Sequence, residues 1–337
     1  MNLPAFIRSI VRIILALALV VGLVVAALLW MCRWGSSGGG GGGMSVNAGE
    51  IKQAHERLAA HVRVLAGDIG ERNVYRPKAY RQSADYIARV LREYGYEVEW
   101  QRYEVQQIIC ANLIATQLGQ RWPGQIVVVG AHYDSVHGSP GASDNGSGVA
   151  ALLELARRFA KEQPARTLRF VAFANEEPPF FPTDQMGSRV YAKSCRERGD
   201  DVRGMISLET IGWFSDEPGS QKYPPLFNLF YPDRGNFIAF VANLQSRGIL
   251  KRAARAFRSN CDVPLETCAT FAFVPGVDWS DHGSFWHHGY RAFMVTDTAP
   301  YRYPHYHEAT DTPDKVNYDM LARVTLGVEA VVRELAN

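Results

Sequence analysis

The first strong hydropathy pattern is an uninterrupted apolar run near the amino terminus. Residues 13–32 include no charged side chain. Twenty helical residues at ~1.5 Å rise each span roughly 30 Å, the hydrocarbon thickness of a bilayer. The run ends in Leu-Leu-Trp-Met, unlike the small-x-small site at which a signal peptide is cleaved. The pattern therefore predicts an uncleaved transmembrane signal anchor that lies in the lipid bilayer at residues 13–32.

The charges on either side of this run predict its orientation. Arg8 and Arg12 precede it, and only Arg33 follows closely. The positive-inside bias therefore predicts a short cytoplasmic segment at residues 1–12 and a folded domain outside the cytoplasm. Residues 33–48 are rich in glycine and serine, a composition that behaves as a flexible linker. We expect a single-pass membrane protein whose folded domain occupies residues 49–337.

Beyond the linker, helical and strand-like apolar patterns alternate. Apolar residues recur at helical spacing in residues 51–66, 78–94, 149–160, 189–198 and 237–258. Strand-like runs occupy residues 98–103, 112–116, 125–131, 167–174, 205–208 and 292–296. This order predicts one three-layer α/β domain with a mixed, mostly parallel sheet covered by helices. Ligands of such sheets bind beyond the carboxyl ends of the strands, so polar residues at those ends are the candidates for function.

Composition narrows the class of protein. The 337 residues include 36 Lys and Arg against 34 Asp and Glu, a formal net charge of +2. Because these charges are spread along the chain, no nucleic-acid partner is expected. The 5 cysteines form no Cys-x-x-Cys pair, so neither a thiolate zinc site nor a redox motif is indicated. Cys261 and Cys268 are close in sequence, which leaves open a disulfide or two buried free thiols.

Two segments match catalytic motifs without their structural context. Residues 35–39 fit the nucleophile elbow of serine hydrolases, but no strand precedes them and no helix follows. Residues 146–151 resemble a dinucleotide fingerprint, which should directly follow a strand, whereas the preceding strand pattern ends well upstream. Neither match supports a function.

Polar residues with metal-binding chemistry follow the predicted strands. His132 and Asp134 come after residues 125–131, where the histidine can bind a metal and the carboxylate can orient it. A lone histidine there is more often a hydrogen-bonded surface residue. Asp144 lies in a glycine-rich turn that opens the next predicted helix, where its alternative role is an N-cap.

The remaining candidates are acids and a late histidine. Glu176 and Glu177 follow residues 167–174, and adjacent carboxylates at the end of a buried strand repel unless a cation compensates. A metal ligand beside a general base explains the pair. Glu209 follows residues 205–208, and His307 comes after Tyr306 with Asp311 nearby as a carboxylate partner.

Together these residues resemble the M28 family of zinc aminopeptidases, of the aminopeptidase Y or bacterial leucyl aminopeptidase type, over most of the chain from about Ile51. The shared pattern runs in order: a His-x-Asp, a Ser/Thr-Asp in a glycine-rich turn, a Glu-Glu, an acid before Ile-Gly, and a late Tyr-His. One departure is Glu209, because the family usually has aspartate before Ile-Gly. Its extra methylene puts the geometry and occupancy of that metal position in question.

The resemblance implies a role for each matching residue. Asp144 would bridge two metal ions, with His132 and Glu209 on one and Glu177 and His307 on the other. Glu176 would be the general base, and Tyr306 would donate a hydrogen bond to the developing oxyanion, although packing among neighbouring tyrosines is its alternative role. The family also implies a cis peptide after Asp144. The supporting carboxylates would be Asp134, Asp281 and Asp311.

The implied cofactors are two zinc ions, because histidine nitrogen and carboxylate oxygen suit zinc, with manganese or cobalt as substitutes. The expected activity is metal-dependent hydrolysis of peptide bonds at free amino termini, with peptides or proteins as substrates. The aromatic and proline-rich residues 213–237 are expected either to form a rim over the site or to pack in the domain.

Three other functions stay open. A glutaminyl cyclase with a single zinc shares many of these acids, but it has tryptophan where this chain has Tyr306. A carboxypeptidase or dipeptidase would differ only in loops. An inactive binding domain would have lost ligands, and here only Glu209 deviates from the family pattern.

Overall fold

An eight-stranded mixed sheet forms the centre of the molecule. The computed structural model describes residues 5–32 and 47–337. The strands are β1 (Val98–Val105), β2 (Ile108–Gln117), β3 (Trp122–His132), β4 (Arg166–Phe173), β5 (Asp201–Glu209), β6 (Ile238–Asn243), β7 (Leu265–Thr270) and β8 (Ala292–Thr296). Their order is β1-β2-β4-β3-β5-β8-β6-β7. Strands β4, β3, β5 and β8 are parallel neighbours, whereas β1, β2 and β6 each pair antiparallel with a neighbour. The predicted mixed α/β architecture is confirmed.

Helices cover both faces of this sheet. The helices of the described residues are α1 (Ala5–Cys32), α2 (Ala48–Val62), α3 (Pro77–Glu93), α4 (Gly148–Phe159), α5 (Gly187–Arg198), α6 (Arg247–Asn260), α7 (Asp281–His287) and α8 (Tyr318–Ala336). Of these, α1 contributes no residue to the cores described next. The larger core lies between one face and α2, α3, α4, α6 and α8. A smaller core on the other face includes Tyr191 of α5 and Phe285 of α7. The strands between these layers are apolar on both faces, which is typical of parallel strands under helices.

The prediction of a helix over residues 237–258 is wrong in its first part. The structure forms β6 at Ile238–Asn243 and begins α6 only at Arg247. Residues 238–242 are a short continuous apolar run buried on both faces, and periodicity does not separate such a strand from a buried helix. Pairing with β8 and β7 decides the outcome in favour of a strand.

The predicted transmembrane anchor is not supported. Helix α1 lies at this position, but no helix in residues 5–32 or 47–337 is long and apolar enough to cross a membrane. The predicted orientation relied on this span and stays a prediction. Residues 1–4 and 33–46, which include most of the predicted linker at 33–48, lie outside the described residues.

Cys261 and Cys268 are not joined by a disulfide. Cys261 lies in the larger core and donates a hydrogen bond to the carbonyl of Arg323 in α8. Cys268 lies on β7 and faces the opposite side of the sheet, where it lines a pocket. The two thiols are therefore on different faces, although they are only seven positions apart.

Candidate metal centre

The carboxyl ends of three neighbouring parallel strands deliver most of the site. His132 is the last residue of β3, Glu176 and Glu177 follow β4, and Glu209 is the last residue of β5. Because β4, β3 and β5 are parallel neighbours, their carboxyl ends meet at one edge of the sheet. Asp144 joins them from the turn before α4, so residues far apart in the chain converge there.

His132, Asp144 and Glu209 form one group of metal-ligating side chains. The His132 Nε2 atom is 3.5 Å from Asp144 Oδ1 and 3.3 Å from Glu209 Oε2. All three side chains are buried. Their ligand atoms lie within 4.8 Å of one another, which is close enough for a single ion to bind all three. The longer side chain of Glu209 therefore reaches the position that the family usually fills with aspartate.

Asp144, Glu177 and His307 form a second group. The His307 Nε2 atom is 3.2 Å from Asp144 Oδ2 and 3.1 Å from Glu177 Oε2. The two oxygens of Asp144 thus face different histidines, as a bridging carboxylate requires. The side chain of His307 is 31% exposed against 1% for His132, so the second group lies on the open side of the site.

Unpartnered buried atoms show that this arrangement fits metal ions. Within the described part of the chain, five such atoms of the two groups have no hydrogen-bond partner: both ring nitrogens of His132, Nε2 of His307, Oδ2 of Asp144 and Oε1 of Glu177. Buried polar atoms are normally paired, and leaving them unpaired costs free energy. Nitrogen and carboxylate oxygen donors in two adjacent sets suit zinc.

Asp134 holds the turn that carries the adjacent glutamates. Its Oδ1 accepts a hydrogen bond from the backbone N–H of Glu176 (3.1 Å) and its Oδ2 accepts one from Glu177 (3.0 Å). Oδ1 also lies 3.4 Å from Nδ1 of His132. The carboxylate therefore faces the histidine that it was predicted to orient, and it also positions both glutamates.

Asp311 supports a different residue from the one expected. It was predicted as a partner near His307, but its carboxylate accepts hydrogen bonds from the backbone N–H groups of Ser143 (2.8 Å) and Asp144 (3.0 Å). Its Oδ1 also accepts a bond from the hydroxyl of Tyr303 (2.6 Å). Asp311 thus anchors the turn that presents Asp144. The expected cis peptide is present between Asp144 and Asn145.

Three further supporting residues were missed by sequence reasoning. The side chain of Asn145 accepts a bond from the N–H of Thr210 (3.0 Å) and donates one to the carbonyl of Leu208 (2.8 Å), which ties the Asp144 turn to the end of β5. Ser280 Oγ donates to Glu209 Oε2 (2.7 Å). These contacts join segments that no sequence motif links.

The third missed residue is Arg72, a fully buried arginine behind the site. Its guanidinium donates to the backbone carbonyls of Tyr133 (2.7 Å), Pro140 (2.5 Å) and Gly141 (2.7 Å), so it holds together the loop between the two aspartates that follow β3. Burial lowers its pKa to about 10, while Asp311 and other nearby carboxylates favour its charge. Residues 47–76 include four arginines, and nothing in the sequence distinguishes Arg72 from the other three.

Asp281 is buried at the start of α7. Neither of its carboxylate oxygens has a hydrogen-bond partner among the described residues. Burial raises its pKa to about 7, and the charge of His132 opposes that shift. Its predicted role as a supporting carboxylate stays a prediction.

Strained backbone marks the segments that present the ligands. The φ values are 54° at Asn175, 41° at Thr210 and 62° at His307. These values lie in the left-handed region of the backbone, which favours glycine over other residues. Two of the three residues directly flank Glu176 and Glu209, and the third is a candidate ligand. Such residues cost on the order of 1–3 kcal/mol each and cluster at functional sites, where the surrounding structure maintains them.

The pKa shifts show an excess of acid at the site. Burial lowers the pKa of His132, but Glu209 and Glu176 outweigh burial and raise it well above its ordinary value. Burial raises the pKa of Glu177 to about 8, and repulsion from Asp144 adds to the shift. The pKa of Asp144 falls despite its burial, because both histidines stabilise its charge. Carboxylates crowded in this way require cations to stay ionised together.

Glu176 and Tyr306 lie beside the two groups without belonging to either. Glu176 Oε2 is 3.8 Å from His132 Nε2, and burial raises the pKa of this carboxyl well above its ordinary value. The Tyr306 ring stacks on His307 with 3.9 Å between ring centroids. Burial and the negative charges of Asp144 and Glu177 raise the pKa of its phenol, which therefore stays a hydrogen-bond donor.

The fold and the site together define a centre like that of a metallohydrolase, at the edge of the sheet where the carboxyl ends of the parallel strands meet. Comparisons with known proteins agree with this class. The model of peptidase family M28 matches residues 112–332. The protein YfbL of Escherichia coli (strain K12) is 40% identical over 282 residues, covering 81% of this chain and 86% of that protein. Leucine aminopeptidase 1 of Arthroderma otae is 27% identical over 250 residues, covering 67% of this chain and 58% of that protein.

Solved structures share the fold. An aminopeptidase from Aneurinibacillus sp. strain AM-1 has a TM-score of 0.64 at 19% identity, covering 86% of this chain and 96% of that one. A glutaminyl cyclase from Fimbriiglobus ruber has a TM-score of 0.62 at 20% identity, covering 83% and 95%. The chain belongs to peptidase family M28, and it is accordingly a metallopeptidase, which confirms the predicted family and hydrolase class.

Proposed function

We propose that the protein is an aminopeptidase that hydrolyses amino-terminal peptide bonds at a site for two zinc ions, with Glu176 as the general base. The observation that carries this proposal is the pair of ligand groups that share Asp144, with Glu176 beside them. A relative named leucine aminopeptidase 1 supports the aminopeptidase specificity.

The two groups divide the ligands as follows. His132 and Glu209 would hold one ion, Glu177 and His307 the other, and Asp144 would bridge them. Bound zinc would lower the pKa of an attacking water and polarise the scissile carbonyl. Asp134 and Asp311 keep the glutamates and the bridging aspartate in place through their backbone hydrogen bonds.

Glu176 would take a proton from the attacking water and pass it to the leaving amine. Burial raises the pKa of this carboxyl above its ordinary value, which is the direction that makes it a stronger base. The phenol of Tyr306 would donate a hydrogen bond to the oxygen that becomes negative in the tetrahedral intermediate. Its stacking on His307 would fix the ring beside the site.

Glu176→Gln tests the proposal. The substitution removes the base but keeps the shape and every metal ligand, so kcat/KM for aminoacyl p-nitroanilides should fall about 10²- to 10⁴-fold. Zinc, counted by elemental analysis, should remain at two ions per chain. Glu99→Gln, an exposed site on the edge strand β1, is the matched control and should leave activity unchanged.

Because the fold is similar to that of a glutaminyl cyclase, the second assay measures cyclisation of an amino-terminal glutamine. Release of amino-terminal residues by the wild type, lost in Glu176→Gln while zinc is retained, supports the aminopeptidase. Cyclisation without any release of amino-terminal residues would contradict it and favour the cyclase.

A further inference from the structure

An apolar cavity adjoins the metal centre. It has a volume of about 100 Å³, and Glu209 and Tyr306 form the end that belongs to the site. From there it extends over the face of the sheet beneath residues 221–237 and 274–279. These segments include the aromatic and proline-rich stretch 213–237, whose predicted rim position agrees with this lining. A substrate held at the metals therefore has a side-chain pocket next to it.

The register of the strands shows which residues lie along the cavity floor. Glu209 of β5 pairs with Thr296 of β8, Thr296 pairs with Ala239 of β6, and Ala239 pairs with Glu266 of β7. Paired residues on neighbouring strands point to the same face of a sheet. Glu209 and Glu266 thus lie on one face, three strand spacings or about 14 Å apart at their Cα atoms. All four residues line the cavity.

Apart from Thr296, the floor between these two acids is apolar. A second row of paired residues, Met294, Val241 and Cys268, lies beside the first and also lines the cavity. Phe237 and Tyr223 contribute aromatic surface to the same pocket. Methylene groups of a substrate would be well accommodated here, whereas a charge would be stable only at the far end.

Glu266 places a carboxyl group at that far end. Its Oε2 atom is buried and has no hydrogen-bond partner among the described residues. The positive charge of Arg258 favours the ionised form of Glu266. However, the Arg258 Nη2 donates a hydrogen bond to the carbonyl of Leu265, and no ion pair joins these two described residues, Arg258 and Glu266. Burial raises the pKa of Glu266 to about 7, as expected for a carboxyl without a compensating cation.

We infer that Glu266 selects substrates whose amino-terminal residue is lysine or arginine. The aliphatic stem of such a side chain would lie on the apolar floor, and its charged end would reach the Glu266 carboxylate. This inference rests on the proposed aminopeptidase function and adds the class of residue that the enzyme removes. The Oε2 atom of Glu266, which has no hydrogen-bond partner among the described residues, would gain one from such a substrate.

The test compares lysine with norleucine, which has the same number of side-chain carbons but no charge. The zinc-loaded full chain is assayed with the p-nitroanilides of both. Wild type should have a higher kcat/KM for the lysine substrate. In Glu266→Gln the lysine-to-norleucine ratio should fall about 10- to 100-fold, because a hydrogen bond to a charged group is lost, while norleucine hydrolysis stays near the wild-type rate.

Glu266→Asp keeps the charge and should restore part of the ratio, and Glu99→Gln should leave it unchanged. Norleucine hydrolysis in each variant also reports whether the active site is folded. A wild type that prefers norleucine, or a ratio that Glu266→Gln does not change, would overturn the inference and leave the aminopeptidase intact. Failure to hydrolyse any aminoacyl substrate would overturn both.

Discussion

Asp311 offers a direct test of how the turn that carries Asp144 is held. Its carboxylate accepts three hydrogen bonds, from the N–H groups of Ser143 and Asp144 and from the Tyr303 hydroxyl. Asp311→Asn keeps the shape of the side chain but has one oxygen where aspartate has two. Its amide NH2 group must therefore face a donor, and one buried backbone N–H loses its acceptor.

The size of the effect follows from these contacts. A hydrogen bond to a charged group contributes about 1.5–3 kcal/mol, and a buried N–H left without an acceptor adds about 1–3 kcal/mol. The asparagine amide can orient its oxygen towards one of these donors and so recovers part of this free energy. We therefore expect the free energy of unfolding to fall by about 2–4 kcal/mol. For a domain of this size, that lowers the Tm by roughly 3–7 °C. Displacement of Asp144 should also weaken zinc binding at both positions.

The assay is thermal unfolding followed by circular dichroism, together with zinc affinity measured by competition with a chelating dye. Asp314→Asn is the matched control, because Asp314 lies in the same loop but is exposed and bonds only to its neighbours. If Asp311→Asn matches Asp314→Asn in both Tm and zinc affinity, the carboxylate does not hold the turn and the reasoning is refuted.

Three other predictions concern stability. Glu154 is fully buried and accepts bidentate bonds from Arg57 and Arg157. Glu154→Gln should lower the free energy of unfolding by about 2–3 kcal/mol, allowing for the partial exposure of both arginines, and an unchanged urea midpoint would contradict this. Burial lowers the pKa of His61 to about 4 from 6.5. As the pH falls, His61 is therefore protonated in the unfolded chain before it is protonated in the folded one. Up to about 3 kcal/mol of the free energy of unfolding is lost between pH 6.5 and about pH 4. His61→Gln should flatten this part of the pH profile, and parallel profiles for the two proteins would argue against it. Removal of zinc by a chelator should lower the Tm, because zinc at 100 times its dissociation constant stabilises by about 2.7 kcal/mol. Equal Tm values with and without zinc would show that the acidic cluster holds no ion.

Much of the fold was predictable because the information is local. Residues 292–296 were predicted as a strand and form β8, and residues 149–160 were predicted as a helix and nearly coincide with α4. Both patterns are long or strongly apolar over one element. Residues 237–258 failed because their apolar run fits a buried strand as well as a helix, and only the neighbours in the sheet decide between them.

The candidate ligands were predictable for a similar reason. His132, Glu177 and Glu209 each follow an apolar strand, and their chemistry is visible in the residue itself. The contacts that support them were not visible. Asp311 bonds to the N–H of Asp144 across 167 positions, and Ser280 bonds to Glu209 across 71.

The sequence by itself therefore determined most of the elements, the donor atoms and their order along the chain. Only the tertiary structure decided which donors share an ion, which carboxylate holds which turn, and that Glu266 lies in the same row as Glu209. The physical reason is that hydropathy and residue chemistry act within one element. Distances between elements depend instead on strand order and register, which emerge when all of the strands pack together.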